Sequence, residues 1–244
     1  MTATARLALT EWRLLRREPL VLAFGFAFPL ALLVVMGLAS DGPDKDLGGL
    51  SLIQTYVPIL VAFNLSMLGI SVLPTAMATY RERGVLRRLG TTPVAPWRLL
   101  AAQLGVNGVV AVGAVVIVLV VAALAFGVSL PGQGLGFALA FALTGAALSA
   151  FGLCIAAVAP TARTANVIGT LTWFPLMFFA GLWIPRAAMG DTLRAISDWT
   201  PVGAAVAALQ DAMAGTFPEP RQLLVLVGYA VAGGLLATRL FRWE

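Results

Sequence analysis

The chain has 244 residues, of which 60% are apolar and 11% charged, and its mean hydropathy is +0.93. Soluble globular domains carry about 45–50% apolar and about 25% charged residues, so the composition excludes an ordinary soluble domain. The lack of histidine excludes His-dependent catalysis and His metal sites, and the single cysteine, Cys154, excludes a disulfide within the chain.

Runs that contain no Asp, Glu, Lys or Arg divide the chain into six candidate membrane spans. A span needs about 20 apolar residues at a rise of about 1.5 Å each. The run from Leu99 to Ala162 is long enough for two spans, and the helix breakers between Gly127 and Gly134 predict the turn between them. The expected spans are Leu20 to Ala39, Leu52 to Thr79, Leu99 to Val128, Leu135 to Ala159, Val167 to Ile184 and Gln222 to Leu240.

The basic residues are unevenly divided between the two sides of these spans. Twelve of the 16 Lys and Arg residues fall in the two termini and in the loops around Arg81 to Arg98 and Arg163. Because basic residues stay on the cytoplasmic side during insertion, both termini and these loops are predicted to be cytoplasmic, in the plasma (inner) membrane. The isoelectric point near 10.3 is then a topology signal, and it requires no nucleic-acid partner.

Two segments outside the spans have the pattern of short amphipathic helices. In residues 1–19, Ala8 and Trp12 lie on one helical face and Thr10 and Arg17 on the opposite face, which predicts an interfacial helix. A basic flank that only orients the first span is the alternative. In the outer segment 185–221 the apolar stretches are too short to span, which predicts short re-entrant or interfacial helices resting in the outer leaflet.

The cytoplasmic loop 80–98 carries the most unusual charge pattern of the chain. A short helix is predicted from Tyr80 to Leu89, with arginines around most of its surface and Gly90 at its end. Arg and Glu supply directional contacts and leucines supply burial, so this segment is suited to docking on a cytosolic partner. A loop whose positive charge only sets the topology is the alternative.

The spans offer little chemistry of their own. They contain no Asp, Glu, Lys or His, which argues against a proton-coupled carrier built on buried carboxylates. The chain lacks a G-x-x-x-x-G-K-[ST] phosphate loop, and its one lysine, Lys45, is predicted to be outside, so any use of ATP requires another subunit. No catalytic residue, cofactor site or metal site is predicted. A channel or scaffold without ATP coupling, or less favourably an integral membrane lipid-modifying enzyme, is the alternative.

Two motifs are shared with a known family of membrane proteins. One runs from Arg81-Glu82-Arg83-Gly84 through Leu86, Arg88 and Leu89 to Thr92 and Pro93, and the other is Gly181-Leu182-Trp183-Ile184-Pro185. Together with the six-span layout, they resemble the membrane permease subunits of ABC-type exporters, in the type-2 class of drug-resistance and antibiotic-export permeases. The motif at Arg81 resembles that family's cytoplasmic coupling segment, and the motif at Gly181 resembles its outer segment before the sixth span.

The resemblance implies an all-α integral membrane permease that forms one domain over residues 1–244. Its partners would be a second permease copy or a related permease, membrane lipid, and a dimer of cytosolic ABC ATPase subunits that bind ATP and Mg. The chain itself would be a transport subunit and not an enzyme. The residues that couple it to the ATPase would be Arg81, Glu82, Arg83, Gly84, Leu86, Arg88, Leu89, Thr92 and Pro93, with Glu82 and Arg83 in direct contact.

The resemblance also implies a place for the transport path. In that family the second and fifth spans line the path, so Asn64, Phe174 and Phe178 are the candidate substrate-facing residues. Aromatic residues are dense in the fifth span, and in the alternative interpretation they face lipid. The outward loops are short, which favours outward movement of a small amphipathic drug, antibiotic or lipid-like compound.

Overall fold

The part of the chain that the structure describes is helical. The computed structural model describes residues 9, 12, 23–47, 49–85, 88 and 97–240. Within those residues the one strand-like pairing is an isolated bridge between Pro43 and Ser51. Among the described residues, four helices are long and apolar enough to cross a membrane, namely Leu52–Glu82, Trp97–Phe126, Gly134–Val158 and Pro220–Leu240.

The helices are numbered here along the described residues. They are α1 (Phe28–Leu38), α2 (Leu52–Ser66), α3 (Leu73–Glu82), α4 (Trp97–Phe126), α5 (Gly134–Val158), α6 (Ala162–Ala180), α7 (Asp191–Trp199), α8 (Pro201–Met213) and α9 (Pro220–Leu240). A π-helical turn precedes α1, and a second one joins α2 to α3; they cover Ala23–Ala27 and Met67–Val72. Short 3₁₀ turns cover Lys45–Leu47 and Arg186–Ala188.

The predicted break inside the long apolar run is confirmed. Helix α4 ends at Phe126, and α5 begins at Gly134. Gly127 has a φ of 68°, a left-handed conformation that glycine adopts without steric cost. The predicted start of the second span at Leu52 is also confirmed, because Ser51 and the side chain of Gln54 form a capping box there.

The predicted bounds of the fifth span are wrong at both ends. The expected start is Val167, but α6 begins at Ala162 because the Thr161 hydroxyl caps it by accepting the N–H of Thr164 at 3.1 Å. The expected end is Ile184, but α6 ends at Ala180 because Gly181 takes a left-handed conformation with φ 92°. Helix α6 therefore begins closer to the end of α3 than expected, since the N–H of Ala162 contacts Glu82.

The long helix Leu52–Glu82 is the centre of the bundle. In its most apolar stretch 83% is buried, against 17% for the corresponding stretch of α9. Helices α4, α5 and α6 all pack against it. Since neighbouring helices surround it, its backbone irregularities must be satisfied by protein and not by water.

Proline accounts for the two π-helical turns. Each one ends two residues before a proline at the second position of the next helix, Pro29 in α1 and Pro74 in α3. Proline has no N–H, so the carbonyl four residues earlier loses its helical hydrogen bond. For Pro29 that carbonyl belongs to Gly25, and the side-chain amide of Asn64 donates to it. The Asn64 side chain of α2 thus replaces the hydrogen bond that Pro29 of α1 cannot make.

Two glycines allow other helices to reach the backbone of the second π-helical turn. A Cβ atom on Gly152 of α5 would meet the carbonyl oxygen of Gly69. A Cβ atom on Gly169 of α6 would lie 2.7 Å from the carbonyl oxygen of Ile70, four residues before Pro74. The turn Met67–Val72 is therefore held between α5 and α6 by backbone contact.

Candidate coupling segment and transport path

The first part of the predicted coupling segment is fixed to the connection between α5 and α6. The guanidinium of Arg81 donates to the carbonyl oxygen of Ala159, at the end of α5. The carboxylate of Glu82 accepts the N–H of Ala162 at 3.2 Å, at the first residue of α6. A carboxylate at a helix N-terminus is favoured by the helix dipole. The end of α3 and the start of α6 are therefore joined directly.

The chain turns immediately after this junction. Arg83 is exposed, and Gly84 has a φ of 66°, which interrupts the helix that was predicted to run unbroken from Tyr80 to Leu89. That prediction is wrong because Arg83 and Gly84 form a turn, and helical geometry resumes at Val85. Arg88 is helical and exposed. The predicted coupling residues Leu86, Leu89, Thr92 and Pro93 lie outside the described residues.

A row of aromatic rings crosses α1, α2 and α6. Phe63 of α2 stacks on Phe28 of α1 with the ring centroids 5.0 Å apart, and it meets Trp173 of α6 edge to face at 5.2 Å. The row continues through Phe174, 5.3 Å from Trp173, and Trp183, 5.9 Å from Phe174. Such pairs add stabilisation beyond the area that they bury. These five rings are called the aromatic row below.

The three candidate path residues occupy different environments. Phe174 belongs to the aromatic row and is 53% exposed. Phe178 is half-buried and meets Phe179 edge to face at 5.5 Å, and its ring is not one of the five in the row. Asn64 is buried beside Phe63, where its amide holds the Gly25 carbonyl and its Oδ1 has no hydrogen-bond partner among the described residues.

Sequence reasoning missed two members of the row, Phe28 and Phe63. Both come from spans whose other residues are mostly aliphatic, so composition does not single them out. The usable signal is position, because Phe63 directly precedes the candidate Asn64. The indole N–H of Trp173 is buried without a partner among the described residues, which places a second unpaired polar atom beside the row.

Charged side chains gather at the opposite end of α6 from Arg81 and Glu82. Arg186 is 6% exposed and contacts Asp198 and the carbonyl oxygen of Gly203. The other carboxylate oxygen of Asp198 accepts from Arg221 at 2.9 Å. Burial lowers the pKa of the Arg186 guanidinium, and the Asp198 carboxylate acts in the opposite direction. Arg186, Asp198 and Arg221 join the 3₁₀ turn, α7 and α9.

The two short outer helices, predicted to be re-entrant or interfacial, differ in burial. Helix α7 exposes Leu193, Ile196 and Trp199, as an interfacial helix does. Helix α8 is buried along most of its length between α5, α9 and α2. The carbonyl oxygen of Trp199 accepts from the hydroxyl of Tyr229, nine residues into α9, or about 13 Å along its axis.

The long apolar helices indicate the class of multi-pass membrane proteins. Residues 2–214 match the family of ABC-2 type transporters, and the chain belongs to that family. It is accordingly a membrane subunit of an ABC transporter, as the resemblance implied. No curated protein matches the chain.

Helix α9 lies beyond the residues that match the family, but it packs along α5. The Cys154 thiol of α5 donates a hydrogen bond to the carbonyl oxygen of Gly233 at 3.2 Å.

Proposed function

We propose that the chain is the membrane subunit of an ATP-driven exporter that moves a small amphipathic drug, antibiotic or lipid-like compound outward. ATP would be bound and hydrolysed, with Mg, by a dimer of separate cytosolic ATPase subunits. The observation that carries the proposal is the junction of Arg81 and Glu82 with the residues Ala159 and Ala162. Force applied to the coupling segment would reach the end of α5 through Arg81 and the start of α6 through Glu82.

Six spans are part of the proposal. The four long helices account for four of them, and α1 with its preceding π-helical turn and α6 would be the other two. Helix α6 supports this because its ends lie at opposite ends of the bundle, with Ala162 beside Glu82 and Phe179 bonded to Ser197 of α7. An even number of spans places both termini on one side, and the arginines make that side cytoplasmic.

The orientation can be measured by chemical labelling. An introduced cysteine in the variant Gly42→Cys is expected to react with an impermeant thiol reagent in intact cells, whereas one in the variant Thr92→Cys is expected to react only after the membrane is opened. Both would be made on a Cys154→Ser background, since a hydroxyl can keep the bond to Gly233. Labelling of Thr92→Cys but not of Gly42→Cys in intact cells would show that the orientation is opposite to the one proposed.

The path is proposed to follow the aromatic row, and a second permease copy would complete it. Three side chains of α6 at helical spacing face outward from the subunit, and they are Val167, Leu171 and Phe174. Phe174 therefore lies on a surface that a second copy or lipid can cover. Apolar rings beside the unpaired polar atoms of Asn64 and Trp173 suit a cargo that is mainly apolar and has a few hydrogen-bonding groups.

Replacing Phe174 with alanine is expected to lower transport several-fold, because the row loses an exposed ring that contacts two others. The measurement is ATP-dependent accumulation of a cationic amphipathic dye in inside-out vesicles that contain the permease and its ATPase. The control is Phe217→Ala, since Phe217 is similarly exposed but lies between α8 and α9. Equal transport rates for the two variants would contradict the proposal that the path follows the aromatic row.

A further inference from the structure

A polar cavity of about 290 Å³ lies between α7, α8 and the starts of α2 and α9. It is separate from the aromatic row, because none of the five rings lines it. Its volume is at the lower end of the range of about 300–1,000 Å³ for small-molecule sites, which suits a group smaller than a drug. Three positive and three negative side chains line it, and they are Arg186, Arg194, Asp198, Asp211, Glu219 and Arg221.

Part of this charge is already paired. One oxygen of Asp198 is held by Arg186 and the other by Arg221. Arg186 is only 6% exposed, so a buried, hydrogen-bonded charge forms part of the cavity wall. Glu219 is 3.9 Å from Arg221, and its side chain is 63% exposed. The Asp198 carboxylate therefore has both oxygens occupied before any ligand arrives.

Two opposite charges in the cavity lack a charged partner. Arg194 of α7 is exposed, and it forms no hydrogen bond or ion pair with a described residue. Asp211 of α8 accepts from the side-chain amide of Gln222 at 2.7 Å through Oδ2, while its Oδ1 has no partner among the described residues and is open to the cavity. A neutral amide does not balance a carboxylate. Arg194 and Asp211 thus line one cavity without pairing with each other.

Arg194 adds to the positive charge around Arg186. Burial lowers the pKa of the Arg186 guanidinium most, the Asp198 carboxylate raises it, and the charges of Arg194 and Arg221 lower it further. Three guanidinium groups therefore surround one carboxylate that is fully engaged. A phosphate or carboxylate beside Arg194 would reduce this repulsion, and guanidinium binds both groups with charge-assisted hydrogen bonds.

Helix α7 places the cavity at the level of lipid head groups. Leu193, Ile196 and Trp199 are exposed on one face of the helix, while Arg194 and Asp198 lie on the opposite face and line the cavity. A helix with this division lies in the membrane interface, and tryptophan is enriched at that depth. The cavity is therefore within reach of a lipid head group and of a dissolved molecule.

We propose that this cavity binds a zwitterionic group, whose phosphate or carboxylate contacts Arg194 and whose primary ammonium donates to Asp211 Oδ1. Such a ligand pairs both open charges at once and leaves the cavity, whose six charges sum to zero, without net charge. The head group of phosphatidylethanolamine and free phosphoethanolamine share this chemistry. The inference depends neither on the cargo nor on the side of the membrane that the cavity faces.

The test uses the purified full chain in a maltoside detergent, and native mass spectrometry measures the affinity of the first bound lipid. Three lipids with the same acyl chains are compared. The ammonium of phosphatidylcholine cannot donate a hydrogen bond, and phosphatidylglycerol has no ammonium. Phosphatidylethanolamine is expected to bind about tenfold more tightly than either, as one charge-assisted hydrogen bond predicts. Equal affinities for the three lipids, with no stabilisation by free phosphoethanolamine, would overturn the proposal.

Variants locate the binding. Asp211→Asn keeps an oxygen for Gln222 and is expected to lower the affinity for phosphatidylethanolamine to that for phosphatidylglycerol. Arg194→Gln breaks no contact among the described residues and is expected to weaken binding of all three lipids about tenfold. The matched controls are Asp191→Asn and Lys45→Gln, which each remove one exposed charge that does not line the cavity. A preference for phosphatidylethanolamine that survives in Asp211→Asn would contradict the proposal.

Free phosphoethanolamine separates the two sources of the ligand. A preference for phosphatidylethanolamine, without any effect of the free compound, would assign the site to a lipid head group. A higher unfolding temperature of the lipid-free protein with free phosphoethanolamine, lost in Asp211→Asn and without a preference among the lipids, would assign it to a dissolved zwitterion. An equal rise with inorganic phosphate alone would show that the cavity binds an anion only, which contradicts the proposal.

Discussion

Replacing Gly152 with alanine is expected to destabilise the protein by about 3 kcal/mol or more, the upper part of the range for overpacked cores. The added methyl group would meet the carbonyl oxygen of Gly69. Neither backbone can move away freely, because Gly69 also packs tightly against α5: a Cβ atom on Gly69 would lie 2.8 Å from the carbonyl carbon of Leu148. The measurement is the thermal unfolding temperature of the purified protein in mild detergent.

The control for this substitution is Gly113→Ala. Gly113 lies inside α4, and a Cβ atom there meets nothing within 4 Å. Alanine favours a helix over glycine by about 1 kcal/mol, so this variant is expected to be as stable as the parent or slightly more stable. If Gly152→Ala unfolds at the same temperature as Gly113→Ala, the contact between α5 and the π-helical turn does not exist.

Replacing Asp198 with alanine is expected to cost about 3–5 kcal/mol, because it leaves the buried guanidinium of Arg186 without its carboxylate. The effect should be seen both in the unfolding temperature and in protease cutting between α6 and α7, since Asp198 also holds Arg221 of α9. Restoring apolar packing with Arg186→Met in the same chain is expected to recover part of the loss.

Glu219→Ala provides the matched control for Asp198. Glu219 also pairs with Arg221, but at 3.9 Å and with a side chain that is 63% exposed. Exposed ion pairs contribute about 0–1 kcal/mol, so its removal should change stability little. A loss for Glu219→Ala as large as that for Asp198→Ala would mean that surface charge, and not the buried pair, stabilises this end of the bundle.

Features that depend on local pattern were predictable from the sequence. The absence of charge over long runs located the four long helices, and the cluster of breakers after Phe126 located the turn before Gly134. The capping of α2 by Ser51 and Gln54 is also a local signal. These features depend on residues a few positions apart, so they can be predicted from a single sequence.

What the sequence did not predict depends on which helices become neighbours. Nothing local to Pro29 indicates that Asn64 would satisfy the Gly25 carbonyl. Nor does the chain around Glu82 indicate that its carboxylate would cap α6, 80 residues further on. Both contacts join distant segments, and both determine the candidate site.

The burial of α8 has a signal in its composition. The stretch from Gly203 to Ala208 is almost entirely small residues, which let helices approach closely inside a membrane. It packs with Ala147 of α5 and Leu226 of α9. A length too short to span favours a position at the surface, but a short helix can also be buried when its neighbours supply the depth.

The central claim is that the segment beginning at Arg81 couples this subunit to a separate ATPase. The most direct test is a mild-detergent pull-down of the tagged chain from its native membrane, with the partners identified by mass spectrometry.

Arg83→Ala is expected to lower recovery of the partner about tenfold, as loss of an interface anchor does, because Arg83 is exposed directly after the contacts of Arg81 and Glu82. Arg163→Ala, at an exposed arginine on α6 near the same junction, is expected to leave recovery unchanged. Recovery of an ATPase with a phosphate loop that weakens only in Arg83→Ala is the predicted result. Recovery of the chain with no ATPase, from native membranes under several detergents, would contradict the account.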